Sequence, residues 1–182
     1  MPNMNFAVGD ANYNWLSTAV DDARARGYPW VIVMEHKNYI SAGGKTNEVG
    51  RPFMELCMTK GVDLVLQGHE HNYMRSKKLR FNGAKTFPHL DIAELGPTTF
   101  TKGNGTIIMV NGLGGATNTD PFNTGDGDAQ YFAAWLGNGI GQANPPGSFA
   151  FGSGYFRVTP TRISGGFRPA TTGTYMDEYS IG

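Results

Sequence analysis

The first part of the chain carries a pattern of apolar and polar residues that is typical of a helix. The apolar residues recur at helical spacing: Trp15, Leu16, Ala19, Val20 and Ala23. Asp10 is a residue type that caps helices, and it predicts that the helix begins near Ala11. Gly27 predicts its end, because glycine accepts the left-handed conformation that commonly terminates a helix.

Three mainly apolar runs predict buried strands, and we expect the first two strands to be covered on both faces. These runs are residues 30–34, 62–66 and 106–110. A second apolar helix pattern begins at Pro52 and ends at Gly61, between the first two runs. An order of strand, helix, strand predicts that the two strands are parallel neighbours.

The carboxyl-terminal part changes to a pattern of alternating residues. Residues 155–158, 162–163 and 179–181 predict antiparallel strands at a sheet edge. The predicted fold class is α/β, with a mixed sheet and antiparallel carboxyl-terminal strands. No internal repeat or domain boundary is visible, so we expect residues 1–182 to form a single domain.

Composition and charge exclude several classes of partner. The 182 residues include 15 Lys and Arg and 15 Asp and Glu, so the net charge is near zero and does not indicate binding to nucleic acid or to an anionic membrane. No segment is apolar and long enough to predict a membrane span. The single cysteine, Cys57, excludes an internal disulfide and falls in an apolar helical pattern, which favours a buried thiol.

The candidate chemistry lies where two of the predicted strands end. His36 follows the first apolar run, and His69 and His71 follow the second. The carboxyl ends of parallel strands meet at one edge of a sheet, where ligands collect. Neutral imidazole is the commonest metal ligand in proteins, so these histidines predict a metal site, and a metal site there favours a hydrolase.

At these residues the sequence resembles the calcineurin-like metallophosphoesterases, most closely the purple acid phosphatase branch. Residues 33–36 resemble the Val-x-x-His motif of that family, and residues 68–76 resemble its Gly-His-x-His-x-Tyr-Glu-Arg motif. Residues 13–16, 105–115 and 154–181 resemble the segments that surround those motifs. The resemblance implies half of a metallophosphoesterase-like β-sandwich with flanking helices.

The resemblance also implies roles for individual residues. His36 and His69 would bind a divalent metal, and His71 would bind a second metal, with iron, zinc or manganese as the metals. Tyr39 would border the phosphate of the substrate. Met74 stands where the family usually has glutamate, which affects tuning of the site rather than ligation. The resemblance assigns no catalytic residue.

The carboxylate motifs of the family's amino half do not precede His36 in this sequence, so the chain resembles the carboxyl half of a phosphatase domain. We therefore expect a metal-dependent phosphoric ester hydrolase of acid phosphatase type that is incomplete or weakly active as an isolated chain, with a dinuclear site only if the missing half is supplied. The alternative is a non-catalytic metal-binding or structural module. We expect self-association or a second chain over the open sheet edge, and a secreted or periplasmic location if a signal peptide lies upstream.

Other residues have two interpretations each. Asp10 formally fits a metal motif of the family, but a helix cap is simpler. Glu35 is either a general acid or base or, as strand alternation favours, a supporting residue that points away from His36. Residues 126–128 indicate a polar turn rather than a calcium loop, and residues 111–115 a loop near the site rather than a phosphate cradle. His89 is interpreted as a loop histidine.

Overall fold

The fold was analysed in a computed structural model, which describes residues 6–115, 119–137, 151–170 and 177–182. The described helices are α1 (Ala11–Ala25), α2 (Arg51–Thr59) and a short 3-10 helix (Gly127–Tyr131). The described strands are β1 (Ile32–Met34), β2 (Leu64–Gln67), β3 (Tyr73–Ser76), β4 (Lys78–Phe81), β5 (Leu90–Glu94), β6 (Thr99–Phe100), β7 (Ile107–Asn111), β8 (Phe132–Leu136), β9 (Gly152–Thr159), β10 (Arg162–Pro169) and β11 (Asp177–Ile181).

Both predicted helices are confirmed, and their ends have clear physical causes. The carboxylate of Asp10 accepts a hydrogen bond from the backbone N–H of Tyr13 at 2.7 Å, which is the capping role predicted for it. Pro52 lies in the first turn of α2, where its missing N–H costs nothing. Cys57 on α2 is buried, as predicted, and burial raises the pKa of its thiol to about 12.

The three predicted apolar strands lie side by side in a five-stranded sheet of order β1-β2-β7-β3-β8. β1 pairs with β2 in parallel, and β2 pairs with β7 in parallel, as the apolar runs predicted. β3 and β8, which the sequence patterns did not predict, complete the sheet with antiparallel pairing. β4 and β5 form a separate antiparallel pair.

The carboxyl-terminal strands are antiparallel, as predicted, but they do not extend the edge of the first sheet. They form a second sheet of order β6-β11-β10-β9. The two sheets pack face to face, because alternate residues of the first sheet point to opposite sides. One side carries the helices and a core that includes Val33 and Val65, and the other carries Leu64, which packs in a cluster with Ile163 of the second sheet. The fold class predicted from the sequence is confirmed: the chain is a β-sandwich with flanking helices.

The prediction that the first apolar run is buried on both faces was wrong for β1. Val33 is buried, but Ile32 is 37% exposed and Met34 is 76% exposed. The reason is that β1 is the outermost strand of its sheet in the described chain and has a neighbour on one side alone. β9 is the outermost strand of the second sheet, and the indole N–H of Trp30, just before β1, donates to the carbonyl of Thr159 at 2.6 Å. This hydrogen bond joins the start of β1 to the end of β9.

Many of the chain's glycines lie between Gly103 and Gly154, and within that range residues 116–118 and 138–150 lie outside the described part. No helix among the described residues is both long enough and apolar enough to cross a membrane.

Candidate metal centre

The structure brings His36 and His69 together where two parallel strands end. Their ring centroids are 4.8 Å apart, with 39° between the ring planes. The backbone enforces this proximity, because the carbonyl oxygen of His36 accepts hydrogen bonds from the N–H groups of Gly68, at 3.1 Å, and His69, at 2.8 Å. The convergence predicted from the two motifs is therefore present for this pair.

A carboxylate that the sequence patterns did not predict orients one imidazole. Nδ1 of His69 lies 2.8 Å from Oε2 of Glu48, in the loop between β1 and α2. Lys37 lies 3.9 Å from the other oxygen of the same carboxylate. A carboxylate on one ring nitrogen fixes the tautomer of a metal-binding histidine and leaves the other nitrogen as an acceptor. This contact suits His69 to bind a metal through Nε2.

The electrostatic environment keeps His36 in the form that binds metals. Burial lowers the pKa of the His36 imidazole, and the neighbouring His69 lowers it further. Glu48 acts in the opposite direction, but the net effect is a pKa below the ordinary value for histidine. His36 is therefore neutral at neutral pH, which is the state required of a ligand.

His71 is anchored through its backbone. Its N–H donates to Oδ2 of Asp120 at 2.7 Å, and its carbonyl accepts from the N–H of Asp120 at 3.0 Å. His71 also contributes to lowering the pKa of His36, so it belongs to the same electrostatic neighbourhood. Among the described residues, however, no three His, Cys, Asp or Glu side chains are placed to hold one metal ion. The donors present fit part of a metal site and not a whole one.

Tyr39 lies deeper than its predicted role at the substrate phosphate suggests. Its side chain is fully buried, and its hydroxyl donates to the carbonyl of Pro88 at 2.8 Å. Burial raises the pKa of Tyr39, so it stays a phenol. The contact with substrate stays a prediction, and in this conformation the hydroxyl is bonded to the protein.

Glu35 is held in the way that strand alternation favoured. Its carboxylate accepts from Nε2 of Gln67 at 3.1 Å, and the same amide donates to the carbonyl of Lys37 at 2.7 Å. Burial raises the pKa of Glu35 to about 7. Glu35 and Gln67 together fix the start of the segment that contains His36.

The last residues of the second histidine motif join the two sheets. The hydroxyl of Tyr73 donates to the carboxylate of Asp177 at 2.6 Å, and Arg75 forms a buried ion pair with the same carboxylate. Met74, which replaces the family's glutamate, is fully buried in the core beside the helices. This part of the motif therefore stabilises the sandwich and does not face the histidine pair.

The remaining alternatives are resolved by hydrogen bonds. Asp126 accepts from the N–H of Asp128 at 2.8 Å and caps the 3-10 helix, which is the polar turn that was favoured. His89 lies in a loop, and its Nδ1 contacts the carbonyl of Lys85. A side chain at Gly112 would come within 1.9 Å of the carbonyl of Glu70, so this glycine allows two backbones to approach.

Comparisons with known proteins agree with the resemblance. No family model matches the chain. Purple acid phosphatase 18 of Arabidopsis thaliana is 31% identical over 97 residues, which are 51% of this chain and 20% of that protein. An acid phosphatase of Aspergillus ficuum is 31% identical over 135 residues, which are 69% of this chain and 21% of that protein.

A solved structure extends the likeness to the whole chain. Purple acid phosphatase PPD1 from yellow lupin (Lupinus luteus) seeds superposes with a TM-score of 0.76 at 19% identity, over 98% of this chain and 29% of that one. The chain thus spans about a fifth of the length of the curated relatives that it matches. The resemblance predicted from the sequence is confirmed, and the chain has a purple acid phosphatase-like fold.

Proposed function

We propose that this chain supplies the histidine ligands of a metal-dependent phosphoric ester hydrolase of acid phosphatase type. The observation that carries the proposal is the pair of imidazoles, His36 and His69, at the ends of adjacent parallel strands. The carboxylate of Glu48 contacts Nδ1 of His69. His71 is proposed as a ligand of the second metal, because its backbone is anchored by Asp120 and it acts electrostatically on His36.

The donor set defines what this chain can contribute. Imidazole suits zinc and iron, and hard dinuclear sites need carboxylate ligands as well. His36, His69 and His71 would hold the metals, and metals bound there would supply polarisation of a phosphoryl oxygen and activation of water. Since the described residues form no group of three ligands, we propose that carboxylates from another segment or another chain complete the site. Tyr39 remains a candidate for the substrate-binding side, provided that its hydroxyl is released from Pro88.

Metal binding by the chain itself is the first test. We expect protein purified without an affinity tag to bind Zn²⁺, and we expect His69→Ala and His36→Ala each to reduce the affinity. His89→Ala is the matched control, because His89 lies in a loop with its own backbone contact. If the two site variants bind zinc as well as His89→Ala does, the proposed ligands are wrong.

Turnover of an aryl phosphate is the second test. Among the described residues no carboxylate is grouped with the histidines to hold a metal, and dinuclear hydrolases need carboxylates that keep two metals about 3.5–4 Å apart. We therefore expect weak or absent turnover by the isolated chain, and any turnover should be lost on chelation and in His36→Ala. Fast turnover by the pure chain would contradict the view that the site needs further ligands.

The open edge of the sandwich is where we propose that a second chain or a second copy binds. Ile32 and Met34 of β1 expose apolar side chains beside an edge that no described strand covers, and such an edge is a ready site for further pairing. We expect self-association in light scattering, and we expect Met34→Lys to reduce it. Leu95→Lys is the control, since Leu95 is 72% exposed but follows β5, outside the two main sheets. Equal effects of the two variants, or a clean monomer, would refute the assignment of this edge.

The alternative of a non-catalytic module is not favoured by the comparisons, since both curated relatives are named as phosphatases.

A further inference from the structure

The loop of residues 41–46 wraps around the carboxylate of Glu70, which lies between the two histidines of the second motif. The hydroxyl of Ser41 donates to Oε2 at 3.0 Å, and the backbone N–H groups of Gly44 and Lys45 donate to the two oxygens at 3.0 and 2.9 Å. Glu70 is 1% exposed. Successive backbone N–H groups that converge on one point form an anion-binding concavity, and here the anion is a side chain of the same protein.

The same loop also holds the residues on either side of Glu70. The ammonium group of Lys45 donates to the carbonyl of His69 at 3.0 Å and to Oδ2 of Asp120 at 2.6 Å. Asp120 in turn accepts from the N–H of His71. Each residue from 69 to 71 is therefore tied to this loop, directly or through Asp120.

The loop sequence is adapted to the close approach of Glu70. A Cβ atom at Gly43 would lie 2.1 Å from Oε1 of Glu70 and 3.2 Å from the carbonyl of Pro121, so a larger residue would displace the carboxylate. At Gly44, an added Cβ would meet nothing within 4 Å. A substitution at Gly43 therefore probes the space that Glu70 occupies, whereas a substitution at Gly44 changes the flexibility of the loop without touching Glu70.

We propose that Glu70 is a positioning residue, whose carboxylate is the internal ligand of an anion-binding loop and thereby fixes His69 and His71 for metal binding. Hydrogen bonds to an ionised carboxylate are stronger than those between neutral groups, so Glu70 holds the loop more firmly than a neutral residue would. The loop continues to Glu48, which orients the ring of His69. The part of this inference that concerns metal rests on the proposed function, and the part that concerns the loop does not.

The anion-binding loop is tested by chemical rescue. Glu70→Ala removes a CH₂–COO⁻ group, and acetate has the same heavy atoms. We expect acetate at about ten times its Kd to raise the Tm of Glu70→Ala by about 3–6 °C over chloride at equal ionic strength. The wild-type chain and Glu70→Gln, in which the site is filled, should show no such rise. Failure of acetate to raise the Tm of Glu70→Ala, or an equal rise in all three proteins, would overturn the proposal.

The matched glycine variants test the same contact from the side of the loop. Gly43→Ala should lower the Tm and, by displacing Glu70, the affinity for Zn²⁺, whereas Gly44→Ala keeps the donating N–H and should change neither. Equal behaviour of the two variants would show that the approach of Glu70 is not what matters.

Zinc affinity distinguishes failure of this inference from failure of the proposed function. Loss of a residue that orients a metal ligand typically weakens binding by about 10–100-fold, so we expect that loss in Glu70→Ala and its recovery in acetate. If acetate restores the Tm but not the zinc affinity, Glu70 organises the loop and does not position the ligands. If the wild-type chain binds no zinc, the proposed function and the metal part of this inference fail together, while the acetate experiment still decides the role of the loop.

Discussion

Replacing Asp177 by asparagine should destabilise the chain more than any exposed charge change. The carboxylate of Asp177 accepts from Tyr73 and from two nitrogens of Arg75, and it joins the second sheet to the first. Both side chains of the ion pair are almost completely buried, with exposures of 1% for Arg75 and 5% for Asp177. Burial disfavours the guanidinium charge, but the hydrogen bond and charge of Asp177 outweigh it and raise the pKa of Arg75. A guanidinium stays protonated in proteins even without a partner, so Arg75 keeps its charge when Asp177 is replaced.

The magnitude follows from leaving that charge unpaired. Removing one partner of a buried ion pair lowers the free energy of unfolding by about 3–5 kcal/mol, because the remaining charge is neither paired nor solvated. For a chain of this size the corresponding fall in Tm is about 6–20 °C. Asparagine has nearly the same shape as aspartate, so the loss reports charge and hydrogen bonding rather than a cavity.

Urea unfolding of Asp177→Asn measures the effect, with Asp21→Asn as the matched control. Asp21 pairs with Lys60 at 2.6 Å, but its side chain is 63% exposed, and such pairs contribute about 0–1 kcal/mol. The difference between the two variants should appear as a shift in midpoint at constant slope. If Asp177→Asn costs no more than Asp21→Asn, the buried pair does not hold the sheets together and the reasoning is refuted.

Three further changes test other parts of the core. Burial raises the pKa of Asp128, so the folded chain keeps this proton at pH values where the unfolded chain has lost it. The free energy of unfolding should therefore fall as pH rises from about 4 through the raised pKa. Asp128→Asn should flatten that fall when the free energy is measured by urea unfolding at several pH values. Met74→Glu places an unpaired carboxylate at a position with no exposure and should cost about 3–5 kcal/mol, in contrast to a neutral Met74→Leu. Trp30→Phe loses the hydrogen bond to Thr159 and should cost about 1–2 kcal/mol by thermal unfolding, and no loss would show that this link between the sheets is dispensable.

The elements predicted correctly from the sequence are those whose burial can be inferred from the residues of one continuous segment. Apolar runs revealed β1, β2 and β7, and helical spacing revealed α1 and α2, because each pattern is complete within one segment. β3 contains Arg75, which reads as polar and exposed. It is buried because Asp177 lies 102 residues further along the chain and neutralises it, and no local pattern records such a partner.

The residues of the candidate site likewise fall into those that a local sequence signal predicts and those that it does not. His36 and His69 were predicted because histidines at strand ends are a local signal. Glu48 and Asp120 were not, since loop carboxylates that bond to a motif leave no periodicity in the sequence. The exposure of Met34 was also missed, because an apolar run indicates which residues can be buried and not whether a neighbouring strand is present to bury them.

The second histidine motif therefore combines two physical tasks in one short segment. His69 and His71 are the proposed metal ligands, whereas Tyr73 and Arg75 tie the segment to the second sheet through Asp177. Sequence similarity in this motif therefore indicates the fold as strongly as it indicates the chemistry. A chain that did not bind metal would still keep Tyr73 and Arg75, the part of the motif that stabilises the sandwich. The two tasks can be separated in one pair of variants. His69→Ala should lower zinc affinity with little change in Tm, because its imidazole is 31% exposed, whereas Asp177→Asn should lower the Tm and leave the zinc affinity of the folded protein unchanged. A variant pair that moved both quantities together would show that metal site and sandwich are one cooperative unit.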